Sequence, residues 1–82
     1  MDFTYRTKGT CSRVIEFKLN DGKVSAVKFH GGCDGNLKGI ASIVEGMDAE
    51  HVIERFSGIR CGFKSTSCPD QLACALKEAL GK

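Results

Sequence analysis

Apolar and polar residues alternate in the first third of the chain, which predicts β-strands. Residues 3–5 form a short β-prone stretch, and residues 14–19 alternate strictly. Asp21-Gly22 follows, and Asp-Gly between two alternating segments predicts a tight hairpin turn. Residues 23–30 then form the partner strand. The side chains that we expect to face the core are Ile15, Phe17, Leu19, Val24, Val27 and Phe29.

The apolar spacing changes to three and four after these strands, which predicts helices. We expect Asn36 to cap the first helix and Gly46 to end it. Asp48 is expected to cap a second, short helix that stops near Ser57-Gly58, and residues 59–67 to form an irregular connection. The apolar residues of the two helices are Leu37, Ile40, Ala41, Ile43, Val44, Val52, Ile53 and Phe56.

A third helix is expected to run to about Leu80, because Pro69 fits a first helical turn and Asp70 suits the positive end of the helix dipole. Strands followed by helices predict an α+β fold, with a small antiparallel sheet of about three strands followed by about three helices. We expect residues 1–82 to form a single domain. The apolar face of the third helix is Leu72, Ala75, Leu76, Ala79 and Leu80.

The charge balance and the hydropathy exclude several kinds of partner. The 82 residues contain 12 Lys+Arg and 10 Asp+Glu, which gives a net charge of +2. No basic cluster is present to follow a phosphate backbone, so nucleic acid is disfavoured as a partner. No apolar run approaches the ~18 residues that span a bilayer, and the N-terminus lacks the basic-then-apolar order of a signal peptide. We therefore expect a cytoplasmic protein.

Five cysteines are the unusual feature of the composition. Their odd number and the expected reducing compartment disfavour disulfides. Cys74 falls on the polar side of the third helix, with Gln71, Lys77 and Glu78, and we expect it to face water without a role. The other four lie at the ends of predicted elements, where site residues tend to lie. These four are Cys11, Cys33, Cys61 and Cys68.

Four thiolates match the ligand demand of a tetrahedral zinc or of an iron–sulfur cluster, and the spacing does not discriminate between them. One alternative is that the cysteines fill buried positions as small apolar side chains. A second is that Cys61 and Cys68 form a redox pair that passes electrons to a reductase, with Cys68 at a helix N-terminus.

Three further residues are candidates for an outer shell around such a site: His30, Asp34 and Asp70. No arrangement of residues identifies a catalytic group. The Gly-rich turn at residues 31–36 precedes a helix and offers weak support for binding an anion or a nucleotide. It lacks the Lys-Ser/Thr of a P-loop, and we interpret its glycines as allowing a tight turn around Cys33.

Thr66-Ser67-Cys68-Pro69-Asp70 spells the pentapeptide for which the TSCPD domain family is named, and the chain resembles the small four-cysteine members of that family. The matching cysteines are Cys11, Cys33, Cys61 and Cys68, whereas Cys74 falls outside the pattern. The resemblance extends through Thr10-Cys11-Ser12-Arg13, residues 31–40, Glu45-Gly46-Met47 and residues 58–62.

The resemblance implies a link to ribonucleotide reduction and DNA synthesis. Longer members carry this domain at the C-terminus of vitamin B12-dependent ribonucleotide reductases, and members are often labelled ribonucleoside-diphosphate reductases. Eighty-two residues are too few for the large barrel that such an enzyme needs. The resemblance therefore implies an accessory module, with a ribonucleotide reductase or another redox protein as its partner.

The order of cysteines and elements is also similar to that of U-type iron–sulfur scaffold proteins. Cys11, Cys33 and Cys68 would match the three scaffold cysteines. Ser12-Arg13 stands in place of the scaffold's acidic residue, Ser67 in place of a histidine, and Cys61 is additional. These departures favour a tightly held metal with four cysteine ligands over a cluster that is handed to a chaperone.

Overall fold

A computed structural model describes residues 2–7, 12–31, 34–60 and 66–81. Three strands form an antiparallel sheet in the order β1-β2-β3, and three helices follow, which confirms the predicted α+β class. Cys11, Cys33 and Cys61 lie outside the described residues. The elements are β1 (Asp2–Arg6), β2 (Ser12–Asn20), β3 (Lys23–Gly31), α1 (Asp34–Val44), α2 (Ala49–Phe56) and α3 (Cys68–Ala79).

The turn between β2 and β3 is the two-residue hairpin that the sequence predicts. Asn20 pairs with Lys23, and the linking residues Asp21 and Gly22 have φ angles of +52° and +77°. Two consecutive positive φ angles match the right-handed twist of the flanking strands, and Asp-Gly tolerates them better than most pairs. The hairpin therefore sets the register of β2 against β3 next to the turn.

A β-bulge in β3 brings Val24 and Val27 to the same face of the sheet. The register of β3 against β2 shifts between the pair Glu16–Lys28 and the pair Lys18–Ser25, and Ala26 has a φ of +51°. In a regular strand, two residues that are three positions apart face opposite sides of the sheet. The extra residue of the bulge brings both valines to the same side. The prediction that both valines face the core is therefore confirmed: they are 0% and 7% exposed.

One face of the sheet and the helices enclose the core. Phe3 of β1 stacks on its cross-strand partner Phe17, with ring centroids 5.4 Å apart. Each fully buried aliphatic or aromatic side chain contributes about 1.5–3 kcal/mol. The buried residues of this cluster are Ile15, Phe17, Val24, Val27, Val44, Ala49, Val52, Leu72, Ala75 and Leu76.

The helix boundaries differ from the expected ones at one position. α1 begins at Asp34 rather than after Asn36, because acidic residues are favourable at a helix N-terminus and extend it. It ends near Gly46 as predicted, and Asp48 is the N-cap residue of α2, although its side chain makes no capping hydrogen bond. Ile43, expected among the apolar residues of α1, is 72% exposed, since it lies on the side of the helix turned away from the sheet.

Two interpretations of α3 were wrong. Gln71, expected on the polar side, is 7% exposed, because its side chain finds a buried partner in Thr66. Cys74, expected to face water, is half-buried. α3 lies next to both the sheet and α2. More of its surface is therefore covered than the single apolar face that a helical wheel assumes.

The path of the chain gives the molecule two opposite ends. Ala49 N–H bonds to Gly22 O at 2.7 Å, so α2 begins at the Asp21–Gly22 turn, and Leu80, just after α3, lines an open cavity beside that turn. We call this the turn end. α2 leads away from it and α3 returns to it. α1 also runs towards it, since Gly46 N–H bonds to Val24 O at 2.7 Å.

The opposite end, the Cys68 end, contains Ser12, Gly31, Gly58 and Cys68. Here β2 begins, β3 ends, α2 ends, and both α1 and α3 begin. β2 alone spans about 26 Å between its first and last residues, at about 3.3 Å per residue. The two ends are therefore well separated surfaces.

Candidate functional site at the N-terminus of α3

The pentapeptide at residues 66–70 builds the start of α3. Ser67 is the N-cap residue: its Oγ accepts a hydrogen bond from Asp70 N–H at 3.2 Å. The same hydroxyl donates to the carbonyl of Ile59 at 2.6 Å. Ser67 is only 4% exposed, so both bonds are shielded from water. One side chain thus caps α3 and ties it to the segment that follows α2.

Asp70 makes a second link between these two helices. Its carboxylate accepts the backbone N–H of Gly58 at 2.7 Å and also the hydroxyl of Thr66. Gln71 Nε2 in turn donates to Thr66 Oγ1 at 3.0 Å. No buried side-chain oxygen or nitrogen among the described residues lacks a partner. The network therefore holds the end of α2 against the start of α3.

Cys68 is the first residue of α3 and is half-buried. Pro69 follows within the first turn, where the missing N–H of proline costs no helical hydrogen bond. The residues on both sides of Cys68 are fixed by the bonds of Ser67 and Asp70. The thiolate is the form of a cysteine that binds metals and attacks disulfides.

Only Cys68 of the four predicted metal ligands lies among the described residues. The nearest described residues are Ser12 after Cys11, Asp34 after Cys33 and Arg60 before Cys61, and Gly31 lies two residues before Cys33. Ser12 and Gly31 are partners in the sheet, next to a second register shift between Ser12 and Val14. Arg60 follows Ile59, whose carbonyl accepts from Ser67. All of these neighbours belong to the Cys68 end.

His30 lies in different surroundings from Asp70. The imidazole of His30 is in contact with the carboxylate of Glu16 on the outer face of the sheet, and both side chains are about half exposed. This face is opposite to the one that packs against the helices. Asp34 is the first residue of α1.

Cys74 lies near Tyr5 of β1. Burial raises the pKa of Tyr5 above its ordinary value of 10.0, and the negative charges of Cys74, Glu78 and Asp70 raise it further. Phe3 and Tyr5 of β1 line a cavity of about 210 Å³ together with Ala75 and Ala79 of α3. Ionisation of the Tyr5 phenol therefore reports on how closely α3 approaches β1.

Sequence reasoning missed several residues that shape this end of the molecule. Thr66 and Gln71 are buried polar partners of Asp70, and no periodicity signals such a network. Glu45 accepts the backbone N–H of the bulge residue Ala26 at 2.9 Å. A signal for the bulge was present, since the three-residue spacing from Val24 to Val27 does not fit a regular strand.

Within the described ranges, no group of three or more His, Cys, Asp or Glu side chains is arranged to hold a metal ion. An open cavity of about 560 Å³ lies at the turn end, far from Cys68. The residues that line the cavity are Asp21, Gly22, Asp48, Glu50, His51, Glu54 and Leu80.

No helix in the described part of the chain has the length and apolar character needed to cross a membrane.

Comparison with known proteins gives one family. The model of the TSCPD domain matches residues 3–80, nearly the whole chain. No curated protein and no solved structure matches the chain. The matched region includes the pentapeptide that caps α3 and all four of the predicted cysteine ligands. The chain therefore belongs to the TSCPD domain family.

Proposed function

We propose that this protein is a small metal-binding module in which Cys11, Cys33, Cys61 and Cys68 hold zinc or an iron–sulfur cluster. One observation carries the proposal: the described residues nearest to these cysteines all belong to one end of the molecule, and they are Ser12, Asp34, Arg60 and Cys68 itself. These cysteines are far apart in the sequence, so this shared location is a property of the fold.

The donor set fits such a group. Four thiolates complete the tetrahedral coordination of zinc, and the same number anchors common iron–sulfur clusters. When bound, zinc would supply a structural cross-link, whereas a cluster would supply one-electron chemistry. A domain of about 80 residues has a small hydrophobic core, which gives limited stability. A metal that cross-links the sheet to the helices would add to that stability.

The residues around Cys68 would serve this site by positioning. Ser67 and Asp70 fix the first turn of α3 against the end of α2. Because this turn is already ordered, less conformational entropy is lost when Cys68 binds a metal. Pre-organisation of this kind raises the affinity for the metal. The register shift next to Ser12 is a further feature of this end, since bulges re-aim side chains near sites.

By family resemblance, the process that this module serves is ribonucleotide reduction, and the partner is a ribonucleotide reductase or another redox protein. This domain would act there as an accessory, because a domain of this size is too small to hold the nucleotide, the radical cysteine and the redox pair by itself. Co-purification of the tagged protein with the reductase of its own host would test this role.

Anaerobic purification tests metal binding directly. The protein is expressed with iron and zinc, purified without air, and examined by metal analysis and visible absorption. Serine at each of the four ligand positions is expected to lower the metal content severely, whereas the matched control Cys74→Ser keeps it. A wild-type protein without metal or cluster, or equal loss in Cys74→Ser, would contradict the proposal.

A second candidate is thiol–disulfide exchange by Cys61 and Cys68. The bond of 2.6 Å between Ser67 Oγ and Ile59 O supports it, because it closes the segment that contains Cys61 and ends at Cys68. The two thiols would form a disulfide while a partner protein's disulfide gains two electrons and two protons to become a dithiol.

Titration in glutathione buffers with the Cys74→Ser variant separates the two candidates. A redox pair gives a Cys61–Cys68 disulfide with a defined midpoint in metal-free protein. If the two cysteines never pair under oxidant, the exchange function fails while metal binding stands. If they pair and no metal is bound by anaerobic protein, the second candidate replaces the first.

A further inference from the structure

The charges of the molecule are segregated between its two ends. All four arginines of the chain lie in the half that contains the Cys68 end, and their side chains are exposed. Arg6 is the last residue of β1, and Arg13 is the second of β2. Arg55 lies in the last turn of α2, and Arg60 follows that helix.

These guanidinium groups are available for an external partner. Within the described ranges, none of the four forms a salt bridge with a carboxylate. Two acids belong to this end: Asp34 begins α1, and Asp70 already accepts from Gly58 N–H and the Thr66 hydroxyl. The four arginines therefore outnumber the acids at this end.

The turn end carries the opposite charge. Four carboxylates line the open cavity beside the hairpin turn: Asp21, Asp48, Glu50 and Glu54. Glu45, which bonds to Ala26 N–H, and Asp2, which pairs with Lys18 in the sheet, are also in this half. Lys18, Lys23 and Lys77 in this half offset only part of these six carboxylates. The net charge of +2 is therefore unevenly distributed, and the molecule has a dipole directed from one end to the other.

We propose that the Cys68 end is a docking surface for an acidic patch on another protein. Arginine is enriched at protein interfaces, and its planar group binds carboxylates through two hydrogen bonds. The dipole would attract an acidic patch to the Cys68 end and repel it from the turn end, so encounters become oriented. The proposal stands on the arginines and does not require that the cysteines bind a metal.

An acidic protein fits this charge pattern better than a nucleic acid does. A nucleic acid is recognised by basic groups that continue along a face of the protein. Here the four arginines are grouped around one end, whereas Lys18 and Lys23 lie near the hairpin turn. The acidic cavity beside that turn is about 26 Å away along β2, at about 3.3 Å per residue. A long polyanion would meet this repulsive surface, whereas a local acidic patch would not.

Binding of a fluorescent ten-glutamate peptide tests the charge complementarity. One variant replaces Arg6, Arg13, Arg55 and Arg60 with glutamine. Its matched control replaces four exposed lysines with glutamine, so both variants change the net charge from +2 to −2 (2 − 4). The control positions are Lys18, Lys23, Lys28 and Lys77.

The arginine variant is expected to bind the peptide about tenfold more weakly at low salt, and the lysine variant to lose clearly less, because exposed ion pairs act over short distances. Equal losses would mean that binding follows net charge alone and would overturn the proposal. Circular dichroism confirms that both variants are folded.

Amide NMR shifts of the wild-type protein locate the peptide without any substitution. The expected shifts are at Arg6, Arg13, Gly31 and Arg60, and not at Asp21 or Asp48. Shifts at the turn end would contradict the proposal. If a ten-nucleotide single-stranded DNA binds more tightly than the peptide, the partner is a nucleic acid and the proposal is wrong. If the wild-type protein self-associates in a salt-sensitive way and the arginine variant does not, the partner is a second copy of this chain.

The same measurement separates this inference from the proposed metal site. If a folded Cys68→Ser variant without metal still binds the peptide, the docking proposal is supported independently of the metal proposal. Loss of binding in the arginine variant with unchanged metal content would support the surface independently.

Discussion

Asp70 at the start of α3 accepts the backbone N–H of Gly58 at 2.7 Å, and this contact joins the ends of two helices that run in opposite directions. The same carboxylate also accepts the hydroxyl of Thr66. Four of the five residues at 66–70 have structural roles: Thr66, Ser67, Pro69 and Asp70. Cys68 is the one whose thiol offers reactive chemistry.

Replacement of Asp70 by alanine is expected to lower the free energy of unfolding by about 1–3 kcal/mol, because Gly58 N–H and the Thr66 hydroxyl lose their acceptor. Asp48→Ala is the matched control, since Asp48 also precedes a helical turn but makes no side-chain capping bond. Its effect should stay within about 0.5 kcal/mol. Urea unfolding of reduced, metal-free protein measures both, and equal effects would contradict the role of Asp70.

Ser67→Ala is expected to cost about 1–3 kcal/mol, because it removes the N-cap and leaves the carbonyl of Ile59 without its donor. Ser57→Ala is the control, because Ser57 is exposed and contributes only its backbone N–H to the end of α2. Thermal unfolding monitored by circular dichroism compares the two. A loss of less than about 0.5 kcal/mol for Ser67→Ala would show that the cap adds little.

Ala26→Gly is expected to stabilise the fold by about 0.5–1 kcal/mol. Ala26 has a φ of +51°, which an L-residue adopts at a cost of about 1–2 kcal/mol and glycine adopts freely. Ser25→Gly, at the neighbouring strand position, should instead destabilise by about 0.5–1 kcal/mol through the added freedom of the unfolded chain. The midpoint of urea unfolding gives both signs, and a destabilised Ala26→Gly would disprove the strain at the bulge.

Tyr5 is expected to ionise above pH 10, since burial and the nearby charges of Cys74, Glu78 and Asp70 raise its pKa. It is the only tyrosine and there is no tryptophan, so ultraviolet absorbance follows this one phenol. Because the folded state holds the proton more tightly than the unfolded one, this contribution to stability is present below pH 10 and is lost as the pH rises through the folded-state value.

Cys74→Ser should bring the Tyr5 pKa closer to its ordinary value, because a serine carries no negative charge at this pH. Lys77→Gln, one residue from Glu78 on the exposed side of α3, is the control for a general change of charge. An unchanged titration in Cys74→Ser would show that the thiolate is too far from the phenol to act on it.

Sequence signals for turns and helix ends were reliable where one or two residues determine the local backbone conformation. Asp21-Gly22 set the hairpin, Gly46 ended α1 and Pro69 placed the start of α3. Gln71 was misassigned, because a helical wheel treats an amide as polar and cannot foresee the buried hydroxyl of Thr66. Cys74 was misassigned for a related reason: the wheel assumes one buried stripe, whereas α3 packs against α2 and also lies next to the sheet.

The candidate site was predictable only as a set of residue types at element ends. The four cysteines are separated along the chain by the lengths of strands and helices, so no spacing motif identifies their ligand. What the fold adds is that the neighbours of all four belong to the Cys68 end. The charge segregation could not be read from the sequence either, because basic and acidic residues alternate along the chain and separate only after folding.

The position of the chain termini has a consequence for how the protein can be handled and attached. Asp2 pairs with Lys18, and Gly81 follows Leu80 beside the hairpin turn, so both described termini emerge in the acidic half. A tag, a surface linker or a fused enzyme joined to either terminus would hold the molecule by that half. The arginines and Cys68 would then point outward, and an immobilised module would present its reactive end to whatever is passed over it.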